Sequence, residues 1–356
     1  MTPVPEVYDD ALKSLTGTAL EYGDGASNLG PVVADALIAM HRAPAVLPWV
    51  QGYRHSLEEP TPLLRTITRS NWQADVGDKL RSGDWVAFFR RELSQAAWPL
   101  VLNDWLPRLA PGLSGAGGQG LIRTAYALHQ LAADETPARV LELAEGLGYW
   151  ASSYMKLPGI LGSMTTGTLA PAEALSRIKW QHKGQPPRFK VIGDGLRGLK
   201  GFPSFTGVIN LVTIPAEPEV LISRTTEVFA RVILAHGHEP DCLLPFIQAV
   251  TVSSALRYII PHLERDPILA FLRYGWQFAG AMYTIYGQAN PVSDFDPPND
   301  NLDSLIDRAI ATRNEHAIIF TEVCLREYLQ LPKPVYLAAA WHAVERLAPP
   351  DQDDAE

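Results

Sequence analysis

The sequence of 356 residues predicts an all-α protein built as a single multi-helix domain. Three observations favour this class. Apolar residues recur at helical spacing through most of the chain, most helical patterns are joined by short turns, and only 211–215 is apolar and β-branched enough for a strand. The length alone also allows two average domains. No internal repeat of fixed period is evident, so a regular solenoid is not expected.

Helical patterns follow one another from the N-terminus. A short helix at 9–15 is followed by a small-residue loop, and Pro31 opens the next helix because its missing N–H costs nothing there. A Trp-rich pattern at 84–109 has Asp84 as its expected N-cap, and Pro99 is expected to kink or split it. Further helical patterns lie at 46–56, 136–154, 171–180, 218–237, 241–263, 267–287, 301–313, 315–331 and 334–347.

A long irregular excursion interrupts this pattern at 156–216, where Pro, Gly, Thr and basic residues are frequent. A connection of this length is either a lid or binding loop, or a surface excursion. A Pro/Asp loop is expected at 294–300, and an acidic tail at 349–356 has nothing to bury. We therefore place the domain at 1–348 and expect the tail to be disordered.

Composition limits the partners and the compartment. A net charge of −9 and a pI near 5.5 argue against nucleic acid or an anionic membrane as partner. Cys242 and Cys324 lie in apolar helical patterns and are expected to be unpaired. The N-terminus lacks the features of a signal peptide, and no run of about 18 apolar residues is present. The sequence predicts a cytoplasmic protein and leaves its oligomeric state open.

The stretch at 115–129 combines a glycine-rich turn with a helix that carries polar groups. Gln119, Arg123 and Tyr126 fall at i, i+4 and i+7, so they share one helix face. The other face is already apolar, with Ile122, Ala125, Leu128 and Ala132. Because the polar face is not needed for folding, it is expected either to be solvated or to line a cavity.

Generic catalytic motifs do not identify a function. The glycine turn lacks both a preceding strand and the Lys-Ser/Thr ending of a phosphate-binding loop, and no metal-binding or nucleophile-elbow motif is present. His236 and His238 can be read as metal ligands, but two histidines at a helix end are more often solvated. No dinucleotide fingerprint is visible, so the sequence does not decide whether the protein uses NADPH. NADPH is kept as an alternative cofactor.

Several separated stretches form a more specific pattern. They are Ser-Asn-Leu-Gly-Pro at 27–31, Gly-Gln-Gly-Leu-Ile-Arg-Thr-Ala-Tyr-Ala at 118–127, Gly-Leu-Gly-Tyr-Trp at 146–150, Gln-Ala-Val-Thr at 248–251 with Ala-Leu-Arg at 255–257, Asn-Glu-His-Ala-Ile-Ile-Phe-Thr-Glu at 314–322, and Tyr-Leu-Ala-Ala at 336–339. In order and spacing this set resembles the questin oxidase-like family of biosynthetic proteins. The resemblance implies a mostly helical enzyme of natural-product biosynthesis that acts on polycyclic aromatic or polyketide-type substrates. Known members oxidatively open an anthraquinone-type ring.

The chain departs from the iron-dependent members of that family at the positions where they carry histidine or lysine. It has Leu29, Gln119, Tyr126, Gln248 and Ile319 there. Leucine and isoleucine cannot bind a metal, and Fe(II) prefers imidazole and carboxylate to amide oxygen. The sequence therefore predicts no metal and no cofactor, with Fe(II) as the alternative. His316 remains, but one histidine does not make a metal site.

If the helices pack as the resemblance implies, these five positions meet in one pocket suited to a flat aromatic ligand. We expect Tyr126 to be the general acid, Gln119 and Gln248 to polarise a carbonyl, and His316 to be the base. Arg123 is expected to hold a phenolate or enolate oxygen. Further substrate contacts are expected from Asn28, Leu29, Ile319 and the stacking side chains Tyr149, Trp150 and Trp276.

Three functions remain open on these residues. The first is a metal-free cyclisation, isomerisation or rearrangement by acid/base catalysis. The second is an oxidase or monooxygenase in which the deprotonated substrate itself reacts with O₂. The third is a ligand-binding or partner protein without catalysis. Each residue also has a structural alternative, such as a turn cap for Gln119 or an ion pair of Arg123 with Glu142 or Glu145.

Overall fold

A computed structural model describes residues 4–162, 167–288 and 301–349. In these ranges it is all-α, with a single two-stranded hairpin formed by β1 (Glu21–Tyr22) and β2 (Ala26–Ser27). The loop expected at 294–300 and all but the first residue of the tail expected at 349–356 lie outside the described residues. The helices are α1 (Val4–Leu15), α2 (Gly30–Ala39), α3 (Ala43–Arg54), α4 (Ser82–Gln95), α5 (Trp98–Leu109), α6 (Gln119–Ala133), α7 (Pro137–Ser153), α8 (Pro171–Arg177), α9 (Ile192–Gly198), α10 (Pro218–His236), α11 (Pro240–Ile259), α12 (Arg265–Tyr286), α13 (Leu302–Ala311), α14 (Glu315–Gln330) and α15 (Pro334–Leu347).

Helix starts follow local rules that the sequence already carries. The Thr136 hydroxyl accepts a hydrogen bond from the Arg139 N–H at 3.3 Å and caps α7. The side-chain oxygen Oδ1 of Asn314 accepts hydrogen bonds from the backbone N–H groups of His316 and Ala317 at 2.9 and 3.2 Å and caps α14. Each cap satisfies N–H groups that have no partner inside the helix. The predicted starts of these two helices are confirmed, and each helix ends one residue before its predicted end.

The Trp-rich pattern at 84–109 is two helices, α4 and α5. The chain turns to an extended conformation at Ala96, so the break precedes Pro99, which lies in the first turn of α5. The prediction of Asp84 as an N-cap is wrong, because this residue lies inside the first turn of α4. Its buried carboxylate instead accepts hydrogen bonds from the Leu64 N–H at 3.0 Å and from Arg81 Nε at 2.6 Å.

The excursion predicted around 156–216 is present, and it contains α8, α9 and three short 3-10 turns within its described residues. The segment 211–215, whose composition alone would allow a strand, forms none, since Val212 makes only an isolated parallel bridge with Leu169. The excursion packs on α12, where Trp276 Nε1 donates to the Val208 carbonyl at 2.9 Å and the Thr284 carbonyl accepts from the Gln181 N–H at 2.8 Å.

Helix α6 lies in the centre of the fold and packs against α7, α11 and α2. Two glycines allow this close approach. A Cβ on Gly120 would lie 2.5 Å from Trp150 Cα, and one on Gly118 would lie 2.4 Å from Val252 Cγ2. Gly118 also has a left-handed φ of 85°, which side chains disfavour. The glycine-rich turn is therefore a packing requirement of α6.

Helix α11 belongs to the apolar core. Of the described residues, 241–262 form the single helical stretch that is long and apolar enough to cross a membrane, and 83% of its most apolar window is buried inside the fold. Burial of this extent is typical of a core helix. Cys242 at the start of α11 and Cys324 on α14 are both buried and free, which confirms the prediction that they are unpaired.

Candidate functional site

A cavity of about 520 Å³ opens where the N-terminal ends of α6 and α14 meet the middle of α11. The glycine turn before α6, the end of α7, α9 and the β1–β2 hairpin complete its walls. This volume is in the range of small-molecule sites. A cavity of similar size, about 550 Å³, lies beside Trp49 and Tyr53, but its lining residues carry no buried polar atom without a partner.

Three polar side chains predicted from the sequence line the first cavity. Gln119 is the first residue of α6, Gln248 lies on α11, and His316 is the second residue of α14. The side-chain carbonyl oxygens of Gln119 and Gln248 are buried and accept no hydrogen bond from the described residues. An unpaired buried acceptor costs roughly 1–3 kcal/mol, so such groups are rare without a purpose. Both side chains line the cavity, and neither buried oxygen is used by the fold within the described residues.

His316 adds a titratable group to the same cavity. Its side chain is half-buried, and desolvation lowers the pKa of the imidazole, while the neighbouring Glu315 carboxylate partly offsets this by raising it. The imidazole is therefore neutral at neutral pH and able to accept a proton. Glu315 also lines the cavity and accepts a long hydrogen bond of 3.4 Å from the Tyr22 hydroxyl.

Tyr126 does not line this cavity, which corrects the expectation that it shares the pocket with Gln119. Its hydroxyl donates to Glu322 Oε2 at 2.6 Å and accepts from Arg326 Nη2 at 3.2 Å. Burial first, and then the Glu322 charge, raise the pKa of Tyr126 well above its usual value. The phenol is held protonated in a closed network, so it has no access to a ligand in the cavity.

Arg123 is likewise engaged inside the protein. Its guanidinium donates to Glu142 at 2.6 and 2.8 Å and to Glu145 at 2.6 Å, and only 2% of the residue is exposed. The ion-pair alternative therefore describes this residue, and the expected contact with a ligand phenolate is not formed by this geometry. Of the polar face of α6, only Gln119 reaches the cavity.

The other expected substrate contacts are buried in packing and do not line the cavity. Asn28 Nδ2 donates to Thr18 Oγ1 and to the Ala19 carbonyl, both at 3.0 Å, and Trp150 packs edge-on against Phe271. The remaining four are buried in the same way: Leu29, Ile319, Tyr149 and Trp276. The Tyr149 hydroxyl does not reach the cavity, but it forms a hydrogen bond with Ser27, which lines the cavity.

Sequence reasoning missed several residues that do line the cavity. Ser27 comes from β2, and Tyr154 and Met155 follow α7. Ile192 and Arg197 belong to α9 in the excursion. The excursion thus forms part of the wall. Its sequence has no catalytic motif, and the only available signal was its unusual length without periodicity.

The donor set does not fit the iron that the family resemblance implies for its histidine-bearing members. The cavity offers one imidazole, the carboxylates of Asp24 and Glu315, and two neutral amides, whereas the common non-haem Fe(II) site uses two imidazoles and a carboxylate. Across the described ranges, no group of three or more His, Cys, Asp or Glu residues is arranged to hold a metal ion. His236 is buried and His238 points to Glu239 at 3.7 Å, so this pair does not converge either.

Comparison with known proteins adds no assignment. Neither a scan against protein-family models nor a search of curated proteins finds a match for this chain. The structure shows an all-α protein with a cavity of small-molecule size, and the questin oxidase-like resemblance stays a prediction.

Proposed function

We propose that this protein is a biosynthetic enzyme that rearranges a hydroxylated polycyclic aromatic or polyketide-type molecule by metal-independent acid/base catalysis. The observation that carries the proposal is the pair of unpaired, buried amide oxygens of Gln119 and Gln248 beside the neutral imidazole of His316, all on one cavity. Oxygen atoms accept hydrogen bonds, so the ligand they suit presents hydroxyl groups.

The reaction follows from these groups. The amide oxygens of Gln119 and Gln248 accept hydrogen bonds from ligand hydroxyls and fix the orientation of the ring system. The neutral His316 removes a proton from one position of the ligand, and the imidazolium so formed is a stronger acid than a solvated imidazolium because its pKa is lowered. It returns the proton to another position, which amounts to an isomerisation with no change in oxidation state.

Binding of 2,6-dihydroxynaphthalene, a flat phenol with two hydroxyls, tests the cavity by equilibrium dialysis. Gln119→Leu and Gln248→Leu are each expected to weaken binding roughly tenfold, because each removes a hydrogen bond of about 1.4 kcal/mol. Neither variant is expected to lose stability, since neither amide oxygen has a partner among the described residues. Gln330→Leu, an exposed glutamine at the end of α14, is the matched control. Unchanged affinity in both cavity variants would remove the basis of the proposal.

Catalysis is tested separately with candidate aromatic polyketides, in air and without oxygen. The expected turnover is independent of O₂ and is abolished in His316→Gln, while Gln330→Leu retains it. Turnover that requires O₂ would instead favour the oxidase alternative.

A further inference from the structure

The β1–β2 hairpin connects the cavity to a buried tyrosine. Glu21 and Ser27 are directly paired residues of the two strands, and Ser27 lines the cavity. Tyr149, on α7, is only 2% exposed and lies behind them. Its hydroxyl oxygen is 2.5 Å from Ser27 Oγ and 2.9 Å from Glu21 Oε1. These three side chains form a continuous hydrogen-bonded chain that begins at the cavity.

The direction of this chain follows from proton counting. A carboxylate only accepts hydrogen bonds, so Tyr149 donates its single hydroxyl proton to Glu21. Ser27 must then be the donor in its contact with Tyr149, and the lone pairs of Ser27 Oγ remain available to the cavity. At the other end Lys79, which also lines the cavity, donates from Nζ to the two oxygens of Glu21 at 2.6 and 2.8 Å. The hydrogen bonds of Ser27 and Tyr149 therefore run in one direction, from Ser27 at the cavity to the half-buried Glu21 carboxylate.

We infer that Ser27, Tyr149 and Glu21 form a proton relay that ionises a ligand hydroxyl in the cavity. The ligand O–H bond breaks as its proton passes to Ser27 Oγ, the Ser27 proton passes to the Tyr149 oxygen, and the Tyr149 proton passes to Glu21 Oε1. The ligand becomes an oxyanion that accepts a hydrogen bond from Ser27, and Glu21 becomes neutral. The chain runs backwards to restore the hydroxyl at the end of the reaction.

This relay rests on the proposed function and completes it. Tyr126 is closed off from the cavity, so the general acid expected from the sequence is missing there. The relay supplies a second proton-transfer group on a different wall from His316. It makes the aromatic ring electron-rich by ionising a hydroxyl, and His316 moves a proton within that activated ring. The substrate class this implies is a phenol or enol.

The surrounding charges suit a relay in which Tyr149 carries protons without resting as a phenolate. Burial, and then the Glu21 carboxylate, raise the pKa of Tyr149 well above its usual value, while Arg123 lowers it by a smaller amount. Lys79 forms a salt bridge with Glu21 at 2.6 Å and holds the carboxylate in place behind Tyr149. The remaining charged groups on the cavity wall are Asp24, Arg197, Lys200 and Glu315.

Excited-state proton transfer tests the relay directly. Bound 2,6-dihydroxynaphthalene becomes a strong acid on excitation and emits as its anion only when a proton acceptor is within hydrogen-bond reach. We expect anion emission from the wild-type complex, slowed in D₂O. In Tyr149→Phe and Glu21→Gln the anion emission is expected to fall at least about tenfold while the dye still binds. Each substitution breaks the hydrogen-bonded relay without removing a cavity-lining side chain. Ser27→Thr keeps a hydroxyl and is expected to retain it, and Tyr274→Phe, on α12, is the matched control.

Three other outcomes overturn part of the scheme, each in a different place. Neutral-form emission alone from bound dye in the wild type rejects the relay and leaves the amide site standing. Anion emission that survives Tyr149→Phe but is lost in His316→Gln rejects the relay. It would show that the His316 imidazole accepts the proton of the dye. Failure of the dye to bind rejects the ligand class of the proposed function.

In that last case the relay is judged in the ligand-free protein by the NMR signal of the Tyr149 hydroxyl proton. A signal far downfield that moves in Ser27→Ala supports the hydrogen-bonded chain. A signal at an ordinary position that Ser27→Ala does not move rejects it.

Discussion

Gln119 and Gln248 come from different helices and share one chemical situation. Each side chain is buried, lines the same cavity and leaves its carbonyl oxygen without a partner in the described residues. A leucine would satisfy packing at either position without the cost of an unpaired acceptor. Folding therefore does not explain the choice of glutamine here, whereas the proposed hydrogen bonds to a ligand would.

The same positions give a test of metal binding. The wild-type protein is expected to retain no stoichiometric iron after anaerobic Fe(II) loading and desalting, because one imidazole and neutral amides bind Fe(II) weakly. The double variant Gln119→His with Gln248→His places two further imidazoles on the cavity of His316, and it is expected to retain iron. Elemental analysis of both proteins measures the difference.

The triple variant that also carries His316→Gln is the control, and it is expected to retain less iron than the double variant. Stoichiometric iron in the wild type would show that other residues bind the metal and would bring the oxidase alternative forward.

His236 gives a prediction about pH and stability. It is buried against Phe246 and Tyr283, and burial first, with His238 second, lowers its pKa from 6.5 to about 4. As pH falls below 6.5 the unfolded chain binds a proton that the folded protein does not. The free energy of unfolding is therefore expected to decrease as pH falls from 6.5 to about 4. In His236→Leu the decrease over the same pH range is expected to be smaller.

Denaturant unfolding at several pH values in this window measures the effect. His55→Leu removes an exposed histidine and serves as the control. An identical pH dependence in wild type and His236→Leu would contradict the assignment.

The sequence did not predict the hydrogen-bond partners of most site residues. The spacing of Gln119, Arg123 and Tyr126 correctly places them on one buried helix face. Their partners differ widely in sequence distance, since Arg123 pairs with Glu142 19 positions on whereas Tyr126 meets Glu322 across 196 positions. Helical periodicity carries no information about such contacts, so it cannot separate a buried ion pair from a ligand site.

At the scale of elements, the turn before α6 depends on glycine. Gly118→Ala is expected to lower the free energy of unfolding by about 2–4 kcal/mol, because its Cβ would lie 2.4 Å from Val252 Cγ2 and its φ is left-handed. Gly207→Ala is the matched control, because nothing lies within 4 Å of its added Cβ and its φ is negative. Denaturant unfolding compares the two variants. Equal stabilities would show that the turn relaxes freely.

Most helices were predictable because their signals are local. Prolines in first turns, caps at Thr136 and Asn314, and apolar spacing all act within one or two helical turns. The break between α4 and α5 was placed at Pro99 from its sequence, whereas the chain turns extended at Ala96. Proline at the start of a helix is favourable, so the interruption falls just before it.

At the scale of the whole molecule, the cavity is assembled from segments that span most of the chain. The hairpin at 21–27, the turn before α6, the middle of α11, the start of α14 and α9 of the excursion all contribute to it. The sequence predicted the helices but could not place the excursion as a lid, binding loop or surface segment. Its contribution of Ile192 and Arg197 to the wall depends on contacts that no local pattern records.

The excursion links ligand binding to accessibility of the chain. Residues 182–190 have no helix or strand and carry the exposed trypsin sites Lys183, Arg188 and Lys190, directly before α9. Because α9 lines the cavity, a bound ligand should hold this segment against the fold and slow cleavage. We expect limited trypsin digestion to cut first in 182–190, and saturating 2,6-dihydroxynaphthalene to slow that cut severalfold. The Gln119→Leu and Gln248→Leu double variant, at the same dye concentration, should show little protection. Equal protection in both proteins would place the dye elsewhere, and first cleavage outside 182–190 would contradict the assigned accessibility of the excursion.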